Sequence, residues 1–320
     1  MIAEALRDIE ATTLPPRFSG HESFALRYAW LPKAYRAILK DPAIFSREEE
    51  AMEVLGIGKN MVRSLRFWVE ATGMAESRDR SRSLELTEFG RGIFDAEGFD
   101  PYLEDVRTLW LLHWTLASRR ERPLFAWNYL FSRWPRPEFS RSEALAAFHS
   151  ESRKLGADHS ETTLGQHLDV FLHTYVPSRS GGSIEDSLDG PLVDLNLLVP
   201  MGERKGEGGR FETVFGFRRE PKPDITDALF DYCLMEFWAG LSRNDDTLSL
   251  REVTVGEGSP GQVFKLTEDD IRARLEENGQ RRHERPYSYQ PSAVQGLLTL
   301  RKSVAPVTLD AVYGREFDHV

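Results

Sequence analysis

The chain has 320 residues, 40% of them hydrophobic and 11% aromatic, enough apolar material to bury a substantial core and too much for a disordered protein. Its 51 acidic against 41 basic side chains leave a formal charge of -10, which opposes indiscriminate adhesion to nucleic acid and confines phosphate binding to local cationic patches. The single cysteine, Cys233, excludes an intrachain disulfide and a thiolate zinc site.

The opening MIAEALRDIE is acidic where a secretion signal is basic and then apolar, and the densest apolar run, LWLLHW, is too short for a bilayer, so a cytoplasmic protein without a membrane segment is expected. Next come AWLPKAYRAIL, with helical spacing, and SREEEAMEVLG, which reads as a helix capped by Ser46 with acids in its first turn. A turn bounded by Gly56 and Gly58 leads into KNMVRSLRFWVEA. In that third helix Val62, Leu65 and Val69 form one stripe, which is expected to be buried. Lys59, Arg63 and Arg66 form a second, left to solvent or a partner. MAESRDRSRSLELTEF then reads as two strands joined by a basic tip carrying Arg78, Arg80 and Arg82. Three helices followed by a hairpin are the order of a winged helix-turn-helix.

Residues 118–140 mix Arg and Pro with large aromatics, which suits an interface between units and places a boundary near 117. The order then recurs more loosely: helices over RSEALAAFHSESRKLG, TTLGQHLDVFLHTYV and SLDGPLVDLNLLV, and a Gly-rich hairpin MGERKGEGGRFETVFGFRR. A third unit contains helices over PKPDITDALFDYCLMEFWAGL, TEDDIRARLEENG and PSAVQGLLTLRKS, with TLSLREVTV as a strand. The expected class is therefore mainly α with small β-hairpins (α+β), built as tandem winged helix-turn-helix-like units. The expected division is 1–116, 117–222 and a helical 223–320. No fixed repeat suggests a solenoid. No heptad marks a homodimer, although paired winged helices are a common DNA-binding arrangement.

Few catalytic patterns survive inspection. GIGKN fails the phosphate-loop spacing before Gly58 and again at Asn60, where Ser or Thr should hold magnesium. His167 and His173 lack zinc-hydrolase spacing, and GEGSPG is not a nucleophile elbow. Asp100, Glu104 and Asp105 are clustered carboxylates of the kind that hold magnesium for phosphodiester cleavage. The plainer reading is that Asp100 caps a helix beginning at Pro101, with acids in its first turn. His21 and Glu22 suit either an acid–base pair or a hydrogen-bonded pair that fixes the N-terminal arm. Glu203 and Lys205, nine and more residues after Asp194, have the Glu-x-Lys spacing of many nucleases but fall in a Gly-rich stretch read as a solvated wing tip.

The strings FSGHESFALRYAWLPKAY, AMEVLGIGKNMVRSLRFWVEATGM, LTEFGRGIF, DPYLEDVRTLWLLHW, DVFLHTYV and EDSLDGPLVDLNLL together span most of the chain. They resemble the bacterial domain-of-unknown-function family numbered four thousand and seven. That family includes the DNA-nicking component of single-stranded phosphorothioation systems. The resemblance implies a magnesium-dependent nick (Mg2+ as cofactor) that opens one strand for sulfur insertion during phage defence. It also implies partners in a cysteine desulfurase, an ATPase and an ATP pyrophosphatase, and it carries no assignment of catalytic residues. On that expectation Lys59, Asn60, Arg63 and Arg66 form the DNA-contacting face, with Arg78, Arg80 and Arg82 on the wing and Asn60 placed to read an adenine edge. The alternative use of the same face is protein docking, with its arginines paired to acids of this acidic chain.

Overall fold

The computed structural model describes residues 15–77, 83–156, 159–177, 190–206, 209–241, 245–276, 285–292 and 295–314. The architecture is α+β: helices carry about half of the described residues, and the strands form small antiparallel sheets.

The first three helices are α1 (Trp30–Lys40), α2 (Glu48–Leu55) and α3 (Lys59–Ala71). Ser46 does not cap α2. It lies in a 3-10 turn, Ile44–Ser46, whose Ile44 and Phe45 are buried, and its hydroxyl donates to the Ala43 carbonyl at 2.6 Å. Burying those two side chains takes the turn out of the helix axis. The helix starts instead with Glu48, Glu49 and Glu50 in its first turn, where carboxylates complement the helix dipole. It ends at Gly56, whose φ of +65° is the left-handed conformation glycine tolerates, and Gly58 then opens α3 in an extended conformation. Val62, Leu65 and Val69 are buried as their spacing requires, alongside Phe67 and Trp68. Strands β1 (Ala75–Ser77) and β2 (Leu84–Leu86) form the expected hairpin, with Ala75 opposite Leu86. Its tip, with Arg78, Arg80 and Arg82, lies outside the described residues.

After α4 (Glu88–Phe94) the chain reaches α5 (Val106–Ser118). This helix begins at Val106 with Asp105 as N-cap, not at Pro101, because Leu103 takes a left-handed φ of +62° and breaks any helix before it. The aromatic stretch expected at an interface between units is buried. Phe125, Ala126 and Trp127 of α6 (Phe125–Asn128) are buried, as are Leu130 and Phe131 of the π-turn that follows, Tyr129–Arg133.

The second group of elements departs from a repeat of the first. Its helices α7 (Arg141–Lys154) and α8 (Glu161–Tyr175) form as expected, but within 187–199 the described residues make only a 3-10 turn, Pro191–Leu195, before strand β4 (Leu198–Lys205). Residues 181–189 lie outside the described residues. The sheet is ordered β3–β5–β4, with β3 (Glu138–Ser140) preceding both helices and β5 (Phe211–Phe217) at the centre. Glu203 and Lys205 therefore lie on a strand, not in a loop.

The C-terminal part contains α9 (Asp227–Ala239), β6 (Thr247–Ser249), α10 (Leu250–Val255), α11 (Pro260–Val263) and α12 (Glu268–Glu276), then β7 (Tyr287–Gln290), β8 (Leu297–Leu300) and α13 (Leu309–Tyr313). Thus TLSLREVTV divides into a strand and a helix, and PSAVQGLLTLRKS supplies the central strand of a β6–β8–β7 sheet where a helix was expected. The close approach of Gly296 to the Tyr289 ring, and the burial of Leu298 between more open neighbours, select the extended chain.

A continuous cluster of buried side chains runs from Phe18 to Val312, and α5 packs against α6, α9 and the Pro191–Leu195 turn. Buried side chains from all three stretches read from sequence belong to this cluster. Among the described residues, no helix is long and apolar enough to cross a membrane.

Candidate nucleic-acid interface

The tight turn through Gly56 and Gly58 folds α3 back beside α2, and the two helices border an open groove of about 1140 Å³. Four cations, Arg47, Lys59, Arg63 and Arg66, face three carboxylates, Glu48, Glu49 and Glu50, around it. Lys59 and Arg63 point the same way from α3 and converge on one carboxylate. Glu48 accepts from Arg63 Nε at 2.6 Å and Nη2 at 3.2 Å, and from Lys59 Nζ at 3.0 Å. The Arg63 hydrogen bond, followed by that of Lys59, pulls the Glu48 carboxyl down to about 2, and the same contact raises Arg63. Arg66, one turn further along, is half-buried and lies 3.6 Å from Glu70. Asn60 is exposed at the second position of α3. The basic stripe thus exists as the spacing requires, but its cations are paired with carboxylates of the chain, Lys59 and Arg63 sharing Glu48 and Arg66 facing Glu70. Glu48 was not among the residues singled out from sequence; its acidic run looked like ordinary first-turn chemistry, and only the glycine turn hinted that it would meet α3.

The opposite side of α3 anchors the N-terminal arm. Trp68 Nε1 donates to the Phe24 carbonyl at 3.0 Å, and a Cβ on Gly20 would come within 2.8 Å of the Phe67 ring. Arg17 stacks on that ring at 4.4 Å and is bonded through its backbone to Pro123 and Phe125. His21 is 2% exposed. Its Nε2 lies 2.9 Å from His167 Nδ1, and the Ala126 N–H donates to His167 Nε2 at 3.0 Å. That donor fixes the tautomers: His167 carries its proton on Nδ1 and gives it to His21 Nε2, and His21 Nδ1–H donates to the Glu22 carbonyl at 3.0 Å. Burial lowers the pKa of both rings. The bond from His21 goes to the main chain of Glu22. The Glu22 carboxylate is exposed and contributes to the field around Arg63. No sequence pattern announced the partnership of His21 with His167.

The acidic cluster at 100–105 is engaged by the protein itself. Asp100, 5% exposed, accepts the Glu104 N–H at 2.7 Å and the Asp105 N–H at 3.0 Å. Asp105 caps α5 through the Arg107 N–H at 2.8 Å and grips the Arg107 guanidinium at 2.6 Å. Burial raises the Asp105 carboxyl, but the hydrogen bonds from Arg107 outweigh it and leave the pKa below its usual value. Glu104 is exposed. Two of the three carboxylates, Asp100 and Asp105, are thus engaged by N–H donors of their own turn and of Arg107, while that of Glu104 faces solvent. Among the described residues, no group of three or more His, Cys, Asp or Glu side chains is placed to hold a metal ion. Asp194 accepts from the exposed Tyr28 hydroxyl, while Glu203 and Lys205 lie on the exposed end of β4.

A family model described as "Protein of unknown function (DUF4007)" matches residues 18–312. Two solved structures are similar over nearly the whole chain: a magnesium ion-bound SspB crystal structure, with a TM-score of 0.79, and an SspB crystal structure, with a TM-score of 0.76. Each is 26% identical in sequence, and each similarity covers 92% of this chain and 87% of that one. No curated protein matches the sequence.

Proposed function

The chain belongs to the DUF4007 family, and from that premise we propose that it is a DNA-binding component of a phosphorothioation system that nicks one strand so that sulfur can enter the backbone. The observation that carries the DNA-binding part is the convergence of Lys59 and Arg63 on one oxyanion, Glu48, at the edge of an open groove. A fork of guanidinium and ammonium donors around two carboxylate oxygens is also the arrangement that receives a phosphodiester. Asn60, Arg66 and the wing arginines Arg78, Arg80 and Arg82 extend this face in the proposal, with the first three helices and the β1–β2 hairpin acting as the winged unit. The likeness to SspB supports the assignment to such a system, in which a cysteine desulfurase, an ATPase and an ATP pyrophosphatase are the proposed partners.

A second reading, a DNA-binding or assembly subunit that does not cut, is favoured by one observation: Asp100 and Asp105 are already bonded to backbone amides and to Arg107. The two readings separate on supercoiled plasmid. Conversion to open circles in magnesium, abolished by chelator, is the expected result for the nicking protein. A plasmid that shifts in a gel but stays supercoiled assigns the chain to binding alone.

A further inference from the structure

Glu48 is the first residue of α2, and its carboxylate receives donors from two side chains that sit one turn apart on α3. All three side chains are solvent-accessible, at 33%, 56% and 44% for Glu48, Lys59 and Arg63. Exposed pairs of this kind are weak and exchange readily with ions from solution. The neighbouring acid Glu50 is engaged elsewhere, by Arg47 at 2.5 Å. Removing Glu48 from the border of the groove shifts the charge that a ligand meets there by one unit in the positive direction. An oxyanion bound by Arg63 and Lys59 in the free protein thus stands where a phosphate would stand in a complex.

We propose that Glu48 is a built-in substitute for a backbone phosphate, occupying the Lys59–Arg63 site until a DNA phosphodiester displaces it. The inference rests on the DNA-binding reading of this face. Two consequences follow from the chemistry. The pairing holds two long, flexible side chains in receptive positions before DNA arrives, which lowers the ordering cost of binding. It also sets a threshold: a single weak phosphate contact must compete with Glu48, whereas a duplex that engages Asn60, Arg66 and the hairpin as well supplies enough to replace it. An acidic chain gains in this way a cationic site that does not collect polyanions indiscriminately.

The test is the affinity of the full chain for a duplex oligonucleotide, measured against salt for the natural protein, Glu48→Gln, Glu53→Gln and Glu48→Gln combined with Arg63→Ala. Glu53 is exposed on α2 and does not border the groove, so its variant controls for the loss of one negative charge. Glu48→Gln is expected to tighten binding about two- to tenfold near 0.1 M salt and to steepen the salt dependence by about one counterion. Glu53→Gln should do less, and the gain should shrink when Arg63 is absent. If the natural protein binds DNA but Glu48→Gln binds no tighter than Glu53→Gln, the substitute role is overturned while the DNA reading stands. If none of the four binds duplex DNA, the reading fails and takes this inference with it.

Discussion

His21 and His167 come from positions 146 residues apart and share one hydrogen bond in the interior, each held neutral by burial. His113 is a third such ring, bonded to the Tyr175 hydroxyl at 2.8 Å and the Val263 carbonyl at 2.9 Å, with its pKa lowered by burial to about 3. In each case the folded pKa lies below the unfolded one, so the unfolded chain takes up more protons as pH falls. Their contribution is therefore complete above the unfolded value near 6.5 and is lost progressively below it. Asp231, raised by burial to about 6, works in the opposite direction as it takes up its proton around that value, which offsets part of the loss. Urea unfolding should show a net loss of stability between about pH 7.5 and about pH 6, with each histidine that stays neutral in the folded protein contributing at most about 1.4 kcal/mol per pH unit. Stability that stays flat or rises over that interval would mean that the rings are not neutral in the folded protein.

At the level of elements, the turn from Asp100 to Asp105 shows why capping signals read from sequence can land one turn early. An Asp before Pro, with acids following, fits a helix start at Pro101, yet the left-handed Leu103 turns that segment into a compact loop, and the cap passes to Asp105. Asp100 still binds backbone amides, but those of Glu104 and Asp105. Asp100→Ala leaves two N–H groups without their acceptor and should cost about 1–3 kcal/mol in urea unfolding, with Asp100→Asn losing less. An unchanged midpoint in both variants would remove Asp100 from the architecture of this turn. Amphipathic spacing made α1, α3, α7, α8, α9 and α12 legible, and the β1–β2 and β4–β5 hairpins followed from turn residues and alternation. The stretch 291–303 was misread because a short apolar run satisfies helix and strand alike, and only the approach of Gly296 to Tyr289 decides between them. The aromatics of 124–131 announced burial, but sequence cannot tell one buried surface from another.

For the whole molecule, the contrast between a formal charge of -10 and a cationic helix face is the central physical fact. Periodicity alone located Lys59, Arg63 and Arg66, since three cations on one face of a helix need no tertiary information. What they pair with was not legible, because Glu48 reaches Arg63 only after the Gly56–Gly58 turn has closed. The cluster of buried side chains from Phe18 to Val312 also draws on all three stretches that composition shifts had separated. The most direct measurement is the slope of log affinity against log salt for duplex DNA, comparing the natural chain with Lys59→Ala, Arg63→Ala and the double variant. Each single substitution should make the slope shallower by about one, and the pair by about two, the loss of one phosphate contact each. Slopes and affinities that do not change in any of the three would contradict the assignment of this face to DNA.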